Sequence, residues 1–142
     1  MEQIGPFILN HWGLWLALLV VLALILINEL LSKRQNAQEL SPATAVDKIN
    51  HDNACVIDIR DAQSFRAGHI INAISASTEE FTNGRMDKYK TKPLILVCAR
   101  GLQSQSLAAK LRGQGFTNPM VLSGGMSAWI AANLPVVKGK KT

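Results

Sequence analysis

Cys98-Ala99-Arg100-Gly101-Leu102-Gln103-Ser104 is the stretch that decides how this chain is read. Directly before it runs Pro93-Leu94-Ile95-Leu96-Val97, a short apolar segment that predicts a fully buried strand. Directly after it, Leu107, Ala108, Ala109 and Leu111 carry a helical pattern that Ser104 can cap and that Gly113 and Gly115 end. A single cysteine therefore sits where a buried strand gives way to a helix N-terminus, with Gly101 in the turn. Unpaired amides and the helix dipole favour an anion at such a place, and a thiolate is an anion. Cys98 is accordingly read as a nucleophile.

Working outward, Ser41-Pro42 opens a helix whose apolar stripe is Ala45, Val46 and Ile49, and residues 54–59 form a strand with Asp58 and Arg60 at its C-terminal end. A short helix from Asp61 stops at Gly68, and His69 to Ile74 is extended. Ser77 offers cap chemistry for another helix, Asn83-Gly84 turns the chain, and a further helical turn precedes the cysteine strand. Beyond the cysteine helix, Pro119-Met120-Val121-Leu122 is a last strand. Gly124-Gly125 then makes a tight turn into a helix carrying Met126, Trp129 and Ile130. Alternating strands and helices predict an α/β domain with a central parallel sheet flanked by helices, its site beyond the carboxyl ends of the strands. Asp58, Arg60 and Cys98 all fall at such ends. Cys55, three residues before Asp58, reads as a small core residue and no disulfide partner for Cys98.

The 142 residues are 48% hydrophobic, and the excess lies at one end. Residues 12–27 contain no charge and no polar side chain, and with Phe7, Ile8, Leu9, Leu30 and Leu31 the apolar segment reaches the roughly 20 residues that a bilayer-spanning helix needs. Trp12 and Trp15 suit an interfacial anchor. A cleaved signal peptide would need a basic start and a small-residue cleavage site, and neither is present. The expected organisation is a stub over 1–11, a transmembrane helix over 12–31, a linker over 32–40, a domain over 41–136 and a basic tail over 137–142. All 15 Lys and Arg follow the span, which places the C-terminal domain in the cytoplasm of a single-pass protein. After the span, 15 basic against 8 acidic residues leave +7. The basic residues are scattered and few aromatics interleave with them. They therefore argue for topology control and attraction to anionic lipid heads, not nucleic acid. Neither the His nor the Cys spacing suits a metal, so no metal site and no cofactor is expected.

Asp58-Ile59-Arg60, Phe65-Arg66-Ala67-Gly68-His69-Ile70, Cys98-x-x-Gly101-x-x-Ser104, Gly115-Phe116 and Leu122-Ser123-Gly124-Gly125-Met126-x-x-Trp129, in that order, resemble the rhodanese-like domain over residues 41–136. With the apolar N-terminal segment, the chain resembles the membrane-anchored single-domain rhodanese-like proteins of bacteria, which implies the inner membrane. The resemblance implies transfer of sulfane sulfur through a persulfide on Cys98. The donor would be thiosulfate or a persulfide, and a thiol or cyanide would be the acceptor. It also implies that the amides of Ala99, Arg100, Gly101, Leu102, Gln103 and Ser104 hold the persulfide anion. Asp58 and Arg60 would support the loop by charge-assisted hydrogen bonds. Arg100 is the cation nearest the cysteine in sequence, while Gln103 stands where many active members carry a basic residue. Asn72 replaces the usual glycine after the His-Ile pair.

Two rival functions bear on the same residues. A cysteine phosphatase wants an arginine at the sixth position after its cysteine to clamp phosphate, and that position is Ser104. The other rival is a non-catalytic, membrane-tethered interaction module, with a membrane protein as partner, since fold alone does not specify chemistry.

Overall fold

The computed structural model describes residues 4–140, and the chain divides into two units at the Gln35/Asn36 junction. The first unit holds helices α1 (Ile4–Asn10) and α2 (Trp12–Gln35). Over Trp12–Ser32, α2 is long and apolar enough to cross a membrane, about 31 Å at 1.5 Å per residue. None of that segment is buried within the structure, and Leu14, Leu19, Leu24, Leu26 and Leu30 are all more than half exposed.

The second unit contains β1 (Gln38–Leu40), α3 (Pro42–His51), β2 (Cys55–Asp58), α4 (Ala62–Ala67), β3 (Ile74–Ser75) and α5 (Thr78–Thr82). A 3₁₀ turn (Asp87–Tyr89), β4 (Pro93–Val97), α6 (Leu102–Gly113), β5 (Asn118–Leu122) and α7 (Gly125–Ala131) complete it. The five strands pair in the order β1-β5-β4-β2-β3, every pair parallel. β4 lies at the centre, buried on both faces as its unbroken apolar sequence requires. Leu94 and Leu96 face a core built with Phe81, Leu107, Leu111 and Phe116, and Ile95 and Val97 face one built with Ala45, Phe65, Met126 and Trp129. This period-two division of one strand between two cores fixes its register, because a one-residue slip would exchange both sets.

Several local expectations hold for reasons visible in the backbone. Ser41 caps α3 by accepting from the Thr44 amide at 3.2 Å, with Pro42 in the first turn. Asp61 caps α4 by accepting from the Ser64 amide at 2.8 Å. Ser77 occupies the cap position of α5, but its side chain makes no capping bond.

Other expectations are corrected. The segment read as linker, 32–40, ends in β1, which pairs with β5 and buries Leu40. Only one of its three residues faces the core, so the sequence carries no alternation to reveal it. The cysteine helix begins at Leu102 with Gly101 as its cap at φ 94°, three residues before the expected capping serine. Ser104 lies inside the first turn, fully buried. Within α7, Met126 and Trp129 are buried and Ile130 is exposed. Of the extended stretch His69 to Ile74, only Ile74 joins the sheet; His69 instead pairs antiparallel with Val137. That pairing, and the Gly139 amide donating to the Arg66 carbonyl at 3.0 Å, bind the first residues of the expected tail to the domain.

Candidate active site

Cys98 follows the last residue of β4 and is 2% exposed. The chain reverses through Ala99, Arg100 and Gly101 into α6. Its carbonyls and amides part company there. The Cys98 carbonyl accepts from the Met126 amide at 2.9 Å, and the Ala99 carbonyl accepts from the Ser127 amide at 3.2 Å and the Ser127 hydroxyl at 3.1 Å. These carbonyls thus satisfy the first free amides of α7, which would otherwise be orphaned at a buried helix start. Amides of the same loop turn toward the sulfur, and that of Gly101 donates to Sγ at 2.9 Å.

Glycine is required where the two turns meet. Gly125 sits at φ 58°, and a Cβ there would overlap the Cys98 carbonyl oxygen and lie 2.8 Å from the Ala99 and Arg100 backbone. A Cβ on Gly101, at φ 94°, would lie 3.1 Å from the Gly124 amide nitrogen. Gly124-Gly125 makes the expected tight turn. The pair also lets α7 approach the cysteine loop from 27 residues away, and the only sequence signal for that is the doubled glycine.

Opposing influences set the ionisation of Cys98. Burial pushes the thiol up. The Ser104 hydroxyl, with the amides of Ser104, Gly101 and Arg100, pulls it further down, leaving it below the ordinary thiol value. The buried Ser104 hydroxyl makes no hydrogen bond of ordinary geometry. These two observations agree if it faces the sulfur at the margin of bonding geometry, because a thiolate is a far better acceptor than a thiol. Of the six loop residues expected to surround the anion, Gly101 is the one whose amide bonds the sulfur among the described residues, and the amides of Arg100 and Ser104 help to lower its pKa. Ala99 acts through its carbonyl. The side chains of Arg100, Leu102 and Gln103 point outward and are exposed.

Asp58 and Arg60 hold a different part of the fold from the one expected. The Arg60 guanidinium meets the buried Asp58 carboxylate at 2.7 Å and donates to the Gly68 carbonyl at 2.6 Å. Their charge-assisted bonds therefore tie the end of β2 to the α4 turn, and none reaches the loop amides. Cys55 lies opposite Leu94 in the register, four positions before the level of Cys98. That is about 13 Å along the strand, and the thiol is pushed up by burial, the behaviour of a packing residue.

Beside the loop opens a cleft of about 810 Å³ between α5 and α6. Arg60, Ala99 and Gln103 lie at the cysteine end, and Ser106, Lys110 and Gln114 follow along α6. Thr78, Glu79 and Thr82 line the opposite wall, over a floor of Phe81 and Leu107. Gln103 stands out in the sequence by its position beside Ser104. The α5 wall does not, because five residues of mixed polarity carry no functional pattern of their own.

The sequence profile of the rhodanese-like domain matches residues 41–132. The chain belongs to the rhodanese-like domain family. YibN of Escherichia coli K12 is 33% identical over 143 residues, covering 99% of this chain and all of that one. The thiosulfate sulfurtransferase GlpE of Pseudoalteromonas translucida is 34% identical over 95 residues, 67% of this chain and 90% of its own. Among solved structures, a thiosulfate sulfurtransferase from Pseudomonas aeruginosa superposes with a TM-score of 0.65 at 24% identity. It covers 73% of this chain, which spans only 20% of that protein. A rhodanese-related protein from Thermoplasma volcanium gives 0.62 at 24% identity, with 70% and 97% covered. The two structural likenesses establish the rhodanese fold, a parallel sheet flanked by helices.

Proposed function

We propose that the rhodanese-like domain is a sulfurtransferase that works through a persulfide on Cys98. One observation carries this reading: the Cys98 sulfur is buried among donors that lower its pKa, in a loop whose next residue, Ala99, lines a cleft of about 810 Å³. Sulfurtransferase relatives such as GlpE, similar over the domain, support it.

In the proposed cycle the Cys98 thiolate attacks the outer sulfur of thiosulfate. A sulfur–sulfur bond forms at Cys98 while the donor's own sulfur–sulfur bond breaks, and sulfite leaves with that electron pair. A persulfide donor would release a thiolate in the same way. The terminal sulfur of the enzyme persulfide carries the negative charge, and the loop amides, that of Gly101 already bonded to Sγ, would stabilise it. An acceptor thiolate or cyanide then takes that sulfur, and the Cys98 thiolate returns. Intact-mass measurement after incubation with thiosulfate or a small persulfide should show an adduct of about 32 Da, absent from Cys98→Ser. A folded protein that forms no adduct with either donor would leave the interaction-module reading in its place.

The same proposal includes the membrane. The apolar helix over Trp12–Ser32 is read as a single span of the bacterial inner membrane, and the Lys/Arg asymmetry as directing the domain to the cytoplasm. Protease added outside spheroplasts should leave the domain intact, and digestion there would reverse the orientation.

A further inference from the structure

Four of the basic residues that look scattered in sequence, Lys88, Lys90, Lys92 and Arg112, meet at one end of the sheet. Lys92 immediately precedes β4, and its ammonium lies 5.7 Å from the centre of the Tyr89 ring, with that of Lys88 at 5.1 Å. Lys90 stands 5.8 Å over the Phe116 ring and pairs with Asp87 at 3.2 Å, which neutralises the acid of this group. Arg112, near the end of α6, donates to the Asn36 carbonyl at 3.0 Å. By register, Pro93 lies opposite Asn118 in β5, and Gln38 of β1 lies opposite Met120. Asn36, two residues before Gln38, is therefore level with Asn118 and Pro93, about 10 Å across two strand spacings. Lys88, Lys92 and Arg112 are exposed, and the two lysines form no ion pair among the described residues. Cys98, in contrast, lies beyond the opposite, carboxyl ends of the strands.

Asn36 is also where the folded domain begins, directly after the apolar helix and its Lys33 and Arg34. We propose that this amino-terminal edge of the sheet, centred on Lys88, Lys92 and Arg112, is a docking surface for the anionic lipid leaflet from which the chain emerges. The proposal rests on the membrane-span reading above. Lysines held over an aromatic ring present a cation at fixed height, with an amphipathic tyrosine between them, a combination suited to a headgroup layer. Docking by this edge would leave the Cys98 cleft, at the far end of the sheet, open to soluble donors and acceptors.

The test uses the full-length chain in nanodiscs of phosphatidylcholine, with or without phosphatidylglycerol, labelled by an uncharged amine-reactive ester and read by peptide mass spectrometry. Labelling of Lys88 and Lys92, relative to Lys138 and Lys140, should slow by about tenfold in the anionic discs and recover at high salt. Lys88→Glu/Lys92→Glu should lose the protection of Arg112-side peptides from hydrogen exchange while forming the Cys98 adduct normally. Equal relative labelling in both discs would overturn the docking surface and leave the span intact. Failure to enter either disc would overturn both. Protection of the detergent-solubilised chain by an RNA oligonucleotide, with none from anionic discs, would assign the edge to nucleic acid instead.

Discussion

At the scale of single residues, Ser104 separates what local chemistry can and cannot tell. A serine ahead of a helical pattern is a good cap by type, and nothing in its neighbours says that it lies one turn inside. In the fold Gly101 takes the cap, and the Ser104 hydroxyl is buried beside a sulfur whose ionisation it assists. Ser104→Ala should therefore raise the Cys98 pKa, since it removes a group that favours the charged form. The pH profile of Cys98 alkylation would move to higher pH, and the rate below the midpoint would fall. A profile unchanged in position would remove the hydroxyl from the account. The stability linkage has a definite sign as well. The thiol is lower in the folded than the unfolded chain, so its ionisation stabilises the fold above the unfolded-state value. That contribution fades as pH falls through the folded-state value. Wild type should gain on Cys98→Ser as pH rises through this window, as read by denaturant midpoints. Cys55 is common to both proteins and cancels.

At the scale of elements, the site is a contact between two turns, the one after β4 and the one before α7. Gly125→Ala would drive a methyl into the Cys98 carbonyl and hold a non-glycine residue at φ 58°. The backbone conformation alone costs about 1–2 kcal/mol, and the overlap adds to it. Since the loop must move to relieve that overlap, persulfide formation should fall by about tenfold or more, out of proportion to the loss of stability. Gly113→Ala is the control: a Cβ there meets nothing within 4 Å, so stability and adduct formation should both persist. The distinction also explains what was legible beforehand. The β4–Cys98–α6 succession could be read because each part is local: an apolar run, a glycine turn and a helical stripe. The hold of α7 on the loop could not, because it joins carbonyls to amides 27 or more residues away. For the same reason Asp58 and Arg60 were seen as a pair at a strand end, but their attachment to the Gly68 carbonyl was not.

At the scale of the whole molecule, the question is where the folding unit begins. The family profile starts at residue 41, as did the domain boundary read from Ser41-Pro42, but the sheet starts earlier. β1 contributes Leu40, 1% exposed, and the Ser123 amide donates to its carbonyl at 2.8 Å. Ala37 is buried against the other core, and the Glu39 carboxylate accepts from Gln105 and Ser123 side chains. So short a strand escapes notice in sequence, yet Leu40 and the preceding Ala37 together bury enough apolar surface to contribute about 2–4 kcal/mol. That is a sizeable share of the 5–15 kcal/mol or so typical of a domain. Removing β1 would also expose the edge of β5, whose unpaired backbone groups invite association between chains. A fragment of residues 36–142 should therefore unfold cooperatively, stay monomeric and form the Cys98 adduct. One of residues 41–142 should unfold at a distinctly lower denaturant midpoint and self-associate, as judged by light scattering. Equal midpoints for the two would mean that β1 is a passenger on the sheet, and that the domain does begin at the serine cap.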